Sequence, residues 1–430
     1  MKKFLKKLSL LAVLFASISF AQTDSVKAEI LKDFRKMGSN YYAYPTPTVK
    51  YTKAPAGYKP FYLSHYGRHG SRFHQPADHY HELYNILARA DSLGKLTDLG
   101  KDLLKRAQFL EEYAAPRAGD LTQLGVQQHQ GIAKRMVKNF PEIFKNDAYV
   151  EAYASTSVRC VVSMAAFLEE LRAQKPKLNI HQESGKYLMS FINPLDFGKI
   201  ISESNTPAWQ KENEKMYSHV DPSRMMRTLF NDTVYIQKNI NAGDLYSKIY
   251  EIGNSLQGSP EIEFSFDDLW TAEELYARWR AQNAWWYSVL GNNPFAQKQG
   301  LENAKPLLKN FIEVADKAIT AGTPSATLRF GHDTMVFPFV VLLQMGNAGI
   351  ETSDMENLHK VWRDYELVPM AANVQLVFYK STKKDSPILV KALLNEKEQT
   401  LPVKCDTASV KNCPAAPYYR WEDFRNYYAK

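Results

Sequence analysis

The chain has 430 residues, 45% hydrophobic and 23% charged, with a formal net charge of +8. This length suffices for a large core divided between two lobes. The positive charge is too mild for a nucleic-acid binder, which carries denser basic stripes.

Lys2, Lys3, Lys6 and Lys7 precede an apolar run from Leu8 to Phe20, and Ser19 and Ala21 offer small residues for cleavage. This is the pattern of a secretory signal peptide over residues 1–21, too short to span a membrane. Its removal takes four lysines and no acids, leaving a net charge of about +4. No cysteine follows the cleavage site to carry a lipid, and no second run of about 18 apolar residues occurs, so no stable membrane anchor is expected. The expected location is the periplasm or the exterior. Protein partners are not legible.

Residues 24–60 hold a short helical pattern, then a Tyr- and Pro-rich stretch from Tyr41 to Pro60 that reads as irregular, surface-packing chain. Phe61-Tyr62-Leu63-Ser64 opens a buried strand over 61–66, which leads into Arg68-His69-Gly70-Ser71-Arg72. One imidazole thus sits between two guanidiniums at a strand's carboxyl end. Guanidiniums carry fixed charge and a fork suited to phosphate oxygens. They neutralise the charge that otherwise repels a nucleophile, so the imidazole among them can attack phosphorus. Gly70 lets the backbone come close to the bound group.

A Gln75-Pro76 loop leads to a helix with Leu83, Ile86, Leu87 and Ala90 on its apolar face. Thr97 and Thr122 lie in two similar segments, each placed to cap a helix. Residues 148–154 alternate like a strand, and Ser155-Thr156-Ser157 opens a helix with Val161, Met164, Ala165, Leu168 and Leu171 on one face. Arg159 therefore falls in the first turn of a helix that follows a strand. Such a helix terminus favours anions, and the arginine adds a third guanidinium. Cys160 reads as a buried, inert thiol.

From Asn193 to Ala321 strand patterns are scarce and aromatics crowd in, among them Trp209, Trp270, Trp279, Trp285 and Trp286. Residues 193–321 are expected to be an α-helical substrate lobe inserted into an α/β domain made of 22–192 and 322–430. Its tryptophans read as core before ligand platforms. Arg224, Arg227, Arg278 and Arg280, with His74 of the first loop, either face a cleft and meet substrate or are solvated faces.

Ala326 to Phe330 reads as a strand ending in Gly331-His332-Asp333, followed by an apolar helix that tolerates Pro338 near its start. Residues 374–379 and 388–394 suit a hairpin, and an aromatic helix over 418–428 docks on the sheet. Strands alternating with helices give α/β layers, with three site segments leaving strand ends, where open sheets bind ligands. Cys405 and Cys413 are close in an exported chain, so a local disulfide is expected. His65, His69, His74, His79 and His81 are dense but lack zinc-ligand spacing, so neither a metal nor a cofactor is expected.

Arg68-His69-Gly70-x-Arg72 resembles the signature of the histidine phosphatase superfamily. Leu121-Thr122-Gln123-Leu124-Gly125 with Gln128, Ser155-Thr156-Ser157-Val158-Arg159 with Ser163 and Phe167, and Gly331-His332-Asp333 are similar, in order, to segments of its larger branch. That branch holds the histidine acid phosphatases and phytases. The resemblance implies a phosphoglycerate-mutase-like central sheet flanked by helices, and hydrolysis of a small-molecule phosphate ester. Arg68, Arg72 and Arg159 would cradle the phosphoryl group, which His69 attacks. His332 would donate to a phosphoryl oxygen. Asp333 would protonate the leaving oxygen and then serve as base for the water that hydrolyses the phosphohistidine. Residue chemistry supports the same roles. Cationic neighbours lower the pKa of Asp333, which favours acidic working pH.

The run Ser64-His65-Tyr66-Gly67-Arg68-His69-Gly70-Ser71-Arg72 is similar to bacterial multiple inositol polyphosphate phosphatases, which implies inositol polyphosphates (phytate) as substrate. That group carries His-Ala-Glu where this chain has His332-Asp333-Thr334, the form of the other phytases and acid phosphatases. A broad-specificity acid phosphatase is the alternative. A phosphate-binding protein without turnover is the alternative of another class.

Overall fold

A mixed eight-stranded sheet organises the chain, seen in a computed structural model that describes residues 26–407 and 413–429. The expected signal peptide lies outside the described residues. The strands are β1 (Tyr58–Arg68), β2 (Tyr149–Ala154), β3 (Asn179–Ser184), β4 (Ala326–Gly331), β5 (Asn373–Ser381), β6 (Leu389–Leu394), β7 (Lys397–Gln399) and β8 (Tyr419–Arg420). Their order is β3-β2-β4-β1-β5-β6-β7, with β8 paired to β6. The first four run parallel, while β5, β6, β7 and β8 join by antiparallel pairing. β1 is longer at both ends than the apolar run predicts. Tyr58 is half-buried and Lys59 exposed, and Gly67 and Arg68 are buried without being apolar.

Nine helices matter below: α1 (Asp78–Ser92), α2 (Asp98–Tyr113), α3 (Gln123–Asn139), α4 (Val158–Gln174), α5 (Ala242–Ser255), α6 (Ala272–Leu290), α7 (Gln299–Ala321), α8 (Asp333–Leu342) and α9 (Trp421–Tyr428). Alternation along the strands feeds two cores, because successive side chains leave opposite faces of a sheet. Tyr62, Tyr66, Val374 and Leu376 pack with α7, α8 and α9. Leu63, Leu328, Phe330 and Val377 pack with α3 and α4 on the other face. The expected aromatic C-terminal helix does dock on the sheet, on the face shared with α7 and α8, with Trp421 against Phe378.

No strand occurs between 193 and 321. Packing nevertheless crosses both expected boundaries. α1 and α2 share a core with the helix Ser223–Leu229 and with α5. At the other end α7 packs on the sheet beside α8. The reason is the apolar face of each helix, which seeks the nearest uncovered partner whatever its place in the chain. Cys405 and Cys413 are bonded to each other. Among the described residues no helix is long and apolar enough to cross a membrane.

Candidate active site

Parallel register brings the predicted motifs together. Arg68 pairs with Gly331 across β1 and β4, and Ala154 pairs with Phe330 across β2 and β4. The carboxyl ends of three strands are therefore neighbours, and the residues that follow them converge. His69 N donates to Gly331 O at 2.9 Å, and Ser155 N to Phe330 O at 2.9 Å.

The loop after β1 is clamped from below by the start of α3. A Cβ on Gly70 would stand 2.4 Å from Gly125 O, and one on Gly125 would stand 2.3 Å from Ser71 O. Both positions require glycine because backbone meets backbone there. Thr122 caps α3 through Gly125 N, donates its backbone N–H to Ser71 O at 2.9 Å and its hydroxyl to Gly258 O at 2.6 Å. Gln128 accepts from Ser71 N and donates to Ser71 Oγ, at 2.8 and 2.9 Å. Ser163 Oγ accepts from Gly70 N. These contacts fix the direction of His69.

His69 Nδ1 lies 2.9 Å from Gly70 O. A carbonyl only accepts, so Nδ1 carries the proton and Nε2 carries the lone pair. Burial, then Arg68, Arg159 and Arg72, holds the pKa of His69 well below its ordinary value, so the ring stays neutral in acid. His332 stands edge-on to it, ring centres 5.8 Å apart. Tyr66 positions His332 by accepting its backbone N–H at 3.1 Å, and Ser155 Oγ lies 3.0 Å from its Nε2. Burial and Arg159 push His332 down to about 4, against the pull of Asp333. Cys160 is buried beside this ring, and burial pushes its thiol up to about 11, as an inert thiol requires.

Asp333 opens α8. Its Oδ2 lies 2.8 Å from Arg68 Nη2 and accepts from Asn40 Nδ2 at 2.8 Å, while Oδ1 accepts from Thr334 N. Burial raises its pKa, but Arg68 and Arg72, with Asn40, outweigh that and hold it below the usual carboxylate value.

A cavity of about 580 Å³ opens over this group. His69, Arg72, Arg159, His332 and Asp333 line it, with Asn40 and Tyr41 on one wall and Tyr250, Glu251, Arg278 and Trp285 on others. Arg72 Nε and Arg159 Nε have no hydrogen-bond partner among the described residues. Arg68, expected in the cradle, does not line the cavity. It is fully buried, with Nη1 donating to Asn40 O and Val368 O and Nη2 on Asp333.

Of the other candidates, only Arg278 reaches the cleft. Arg224 is tied to Glu274, Arg280 to Glu356, and Arg227 is exposed away from it. His74 is buried outside the lining, pushed down to about 2 by burial and by Arg72. Asn40 and Tyr41 escaped sequence reasoning. They precede β1 by many residues, and Ser39, at φ 58°, turns the chain so that Asn40 reaches Asp333. A serine in that conformation is unusual, and it is the one local sign of a constrained position.

Residues 67–395 match the family model of the histidine phosphatase superfamily (branch 2). The chain belongs to this superfamily. Membership makes it a phosphomonoester hydrolase of the histidine type and sets aside the reading of a phosphate binder without turnover. No curated protein matches it in sequence. Among solved structures, the histidine phosphatase fold recurs in the Bifidobacterium longum multiple inositol polyphosphate phosphatase in complex with inositol hexasulfate. That match has a TM-score of 0.76 and 18% identity, covering 90% of this chain and 96% of that one. A phytase from D. castellii follows at TM-score 0.64 and 14% identity, over 92% and 84% of the two chains. The Hafnia alvei phytase in complex with tartrate gives 0.53 and 14%, over 87% and 98%.

Proposed function

We propose that this phosphatase works through a phosphohistidine on His69 and acts on inositol polyphosphates. Arg72, Arg159 and His332 receive the phosphoryl oxygens, which cancels much of their repulsion toward a nucleophile. His69 Nε2 forms the bond to phosphorus as the bond to the ester oxygen breaks. Asp333, in its acid form, gives that oxygen its proton. Water then attacks phosphorus, its proton passes to Asp333, and the bond to Nε2 breaks to release inorganic phosphate. Arg68 acts through Asp333 and adds field from beneath. A phosphate dianion among the same arginines offsets the charge that keeps Asp333 ionised, so the acid form becomes accessible when substrate binds.

The observation that carries the substrate reading is Arg278. It faces the cleft from α6, a separate element from the arginines of the cradle, and stacks on Tyr250 at 4.3 Å. A second phosphate on a ring would meet it there. The Bifidobacterium longum relative, whose structure holds inositol hexasulfate, supports this reading. Glu251 and Asp196 on the wall favour the second reading, a broad acid phosphatase, because they repel further phosphates. Arg278→Ala separates the two. It should raise KM for inositol hexakisphosphate by about 1–3 kcal/mol of binding and leave that of p-nitrophenyl phosphate nearly unchanged. Added salt should shrink the difference. Equal effects on both esters would favour the broad phosphatase. Export to the periplasm or exterior belongs to the same proposal, and an N-terminus at Gln22 in the mature protein would establish it.

A further inference from the structure

His74, His79 and Glu251 form a second cluster beside the cleft, and the mechanism above uses none of them. They come from three elements: the loop after the Arg68–Arg72 motif, the first turn of α1, and α5. His74 Nε2 and His79 Nδ1 are 2.8 Å apart, and Glu251 Oε2 lies 3.8 Å from the first and 3.5 Å from the second. We propose that these three side chains bind a divalent cation of the zinc class.

The triangle has the right size. A point equidistant from its three corners lies about 2 Å from each, which is the bond length of zinc to imidazole nitrogen and carboxylate oxygen. Two imidazoles and one carboxylate are a donor set for zinc, with a fourth position left for water. The outer contacts fit as well. His74 Nδ1 is 2.7 Å from Tyr41 Oη. A hydrogen bond from the far ring nitrogen is what orients a metal-bound imidazole and presents the other nitrogen as a lone pair. His74 is 1% exposed, whereas His79 and Glu251 are partly open, so an ion has both a fixed ligand and an entry path. The residue spacing hid this site. His74 and His79 sit five apart across a loop and a helix start, and the carboxylate arrives from far along the chain.

Bound there, the ion would join the nucleophile loop to α1 and α5. It would also offset the negative charge of Glu251 on the cleft wall. The competing state is a hydrogen-bonded His-His-Glu group with no ion. Calorimetric titration of chelator-treated full-length protein with Zn²⁺ alone, at neutral pH, decides between them. The expected result is one tight equivalent in the wild type. Affinity should fall roughly 100-fold in His79→Ala and in Glu251→Gln, and roughly tenfold in Tyr41→Phe. Zinc should raise the melting temperature of the wild type but not of the two ligand variants, which should otherwise melt like it. A wild type that takes up no stoichiometric zinc, or variants that bind it as tightly, would overturn the proposal.

Discussion

In the proposed mechanism one carboxyl, that of Asp333, serves two steps. Arg68, Asn40 and the backbone of Thr334 hold it, and the arginines keep it ionised until a phosphate offsets them. The falling limb of activity at higher pH should therefore lie at higher pH in kcat, which reports the bound state, than in kcat/KM, which reports the free enzyme. Coincident limbs would mean that substrate does not change the field at Asp333. Asp333→Asn cannot donate a proton in this way. It should slow inositol phosphates, whose alkoxide leaves poorly, far more than p-nitrophenyl phosphate, whose leaving group needs little protonation. Equal losses would reduce Asp333 to a positioning role. At the acid end His69 stays neutral, because burial and three arginines oppose its protonation. The proposed nucleophile is thus favoured in its neutral form where Asp333 is most readily an acid.

At the level of elements, the site depends on α3 pressing against the nucleophile loop. Gly70→Ala would drive a methyl group into Gly125 O, and neither backbone can yield without moving α3 or His69. The variant should lose about 1–3 kcal/mol of stability and most of its turnover, measured by thermal melting and phosphate release. A variant as active as the wild type would show that the loop tolerates displacement. This clamp was legible in part. The motifs, their order and the threonine caps could be read because each is local, and parallel register did the rest. Asn40 could not be read, since its contact with Asp333 depends on a turn at Ser39 and on packing far along the chain. The arginines after residue 223 were legible as charge but not as direction. Arg224 and Arg280 had nearby carboxylates to satisfy them, and only Arg278 was left facing the cleft.

For the whole molecule, buried histidines tie stability to pH. His65 and His129 lie between β1, α3 and α4, where burial pushes both down to about 3, with His129 adding to the effect on His65. Unfolded, each takes a proton near pH 6.5. The native state therefore binds fewer protons below that pH. The stability these residues contribute is complete above pH 6.5 and is lost as pH falls toward 3. His129→Leu should accordingly gain stability relative to wild type as pH drops from 7 to 4, by on the order of 1 kcal/mol per pH unit. A pH-independent difference in denaturation midpoints would place the acid sensitivity elsewhere. Composition alone does not reveal that α1, α2 and α7 choose partners by apolar face and not by sequence position.

The proposed mechanism turns on a covalent phosphate on His69. The direct measurement is rapid denaturing quench during turnover of inositol hexakisphosphate, followed by peptide mass spectrometry under alkaline conditions, where phosphohistidine survives. Phosphate should be found on His69, lost on mild acid treatment and absent from His69→Ala, which should fold but release no phosphate. Phosphate on another residue, or sustained turnover by His69→Ala, would contradict the mechanism.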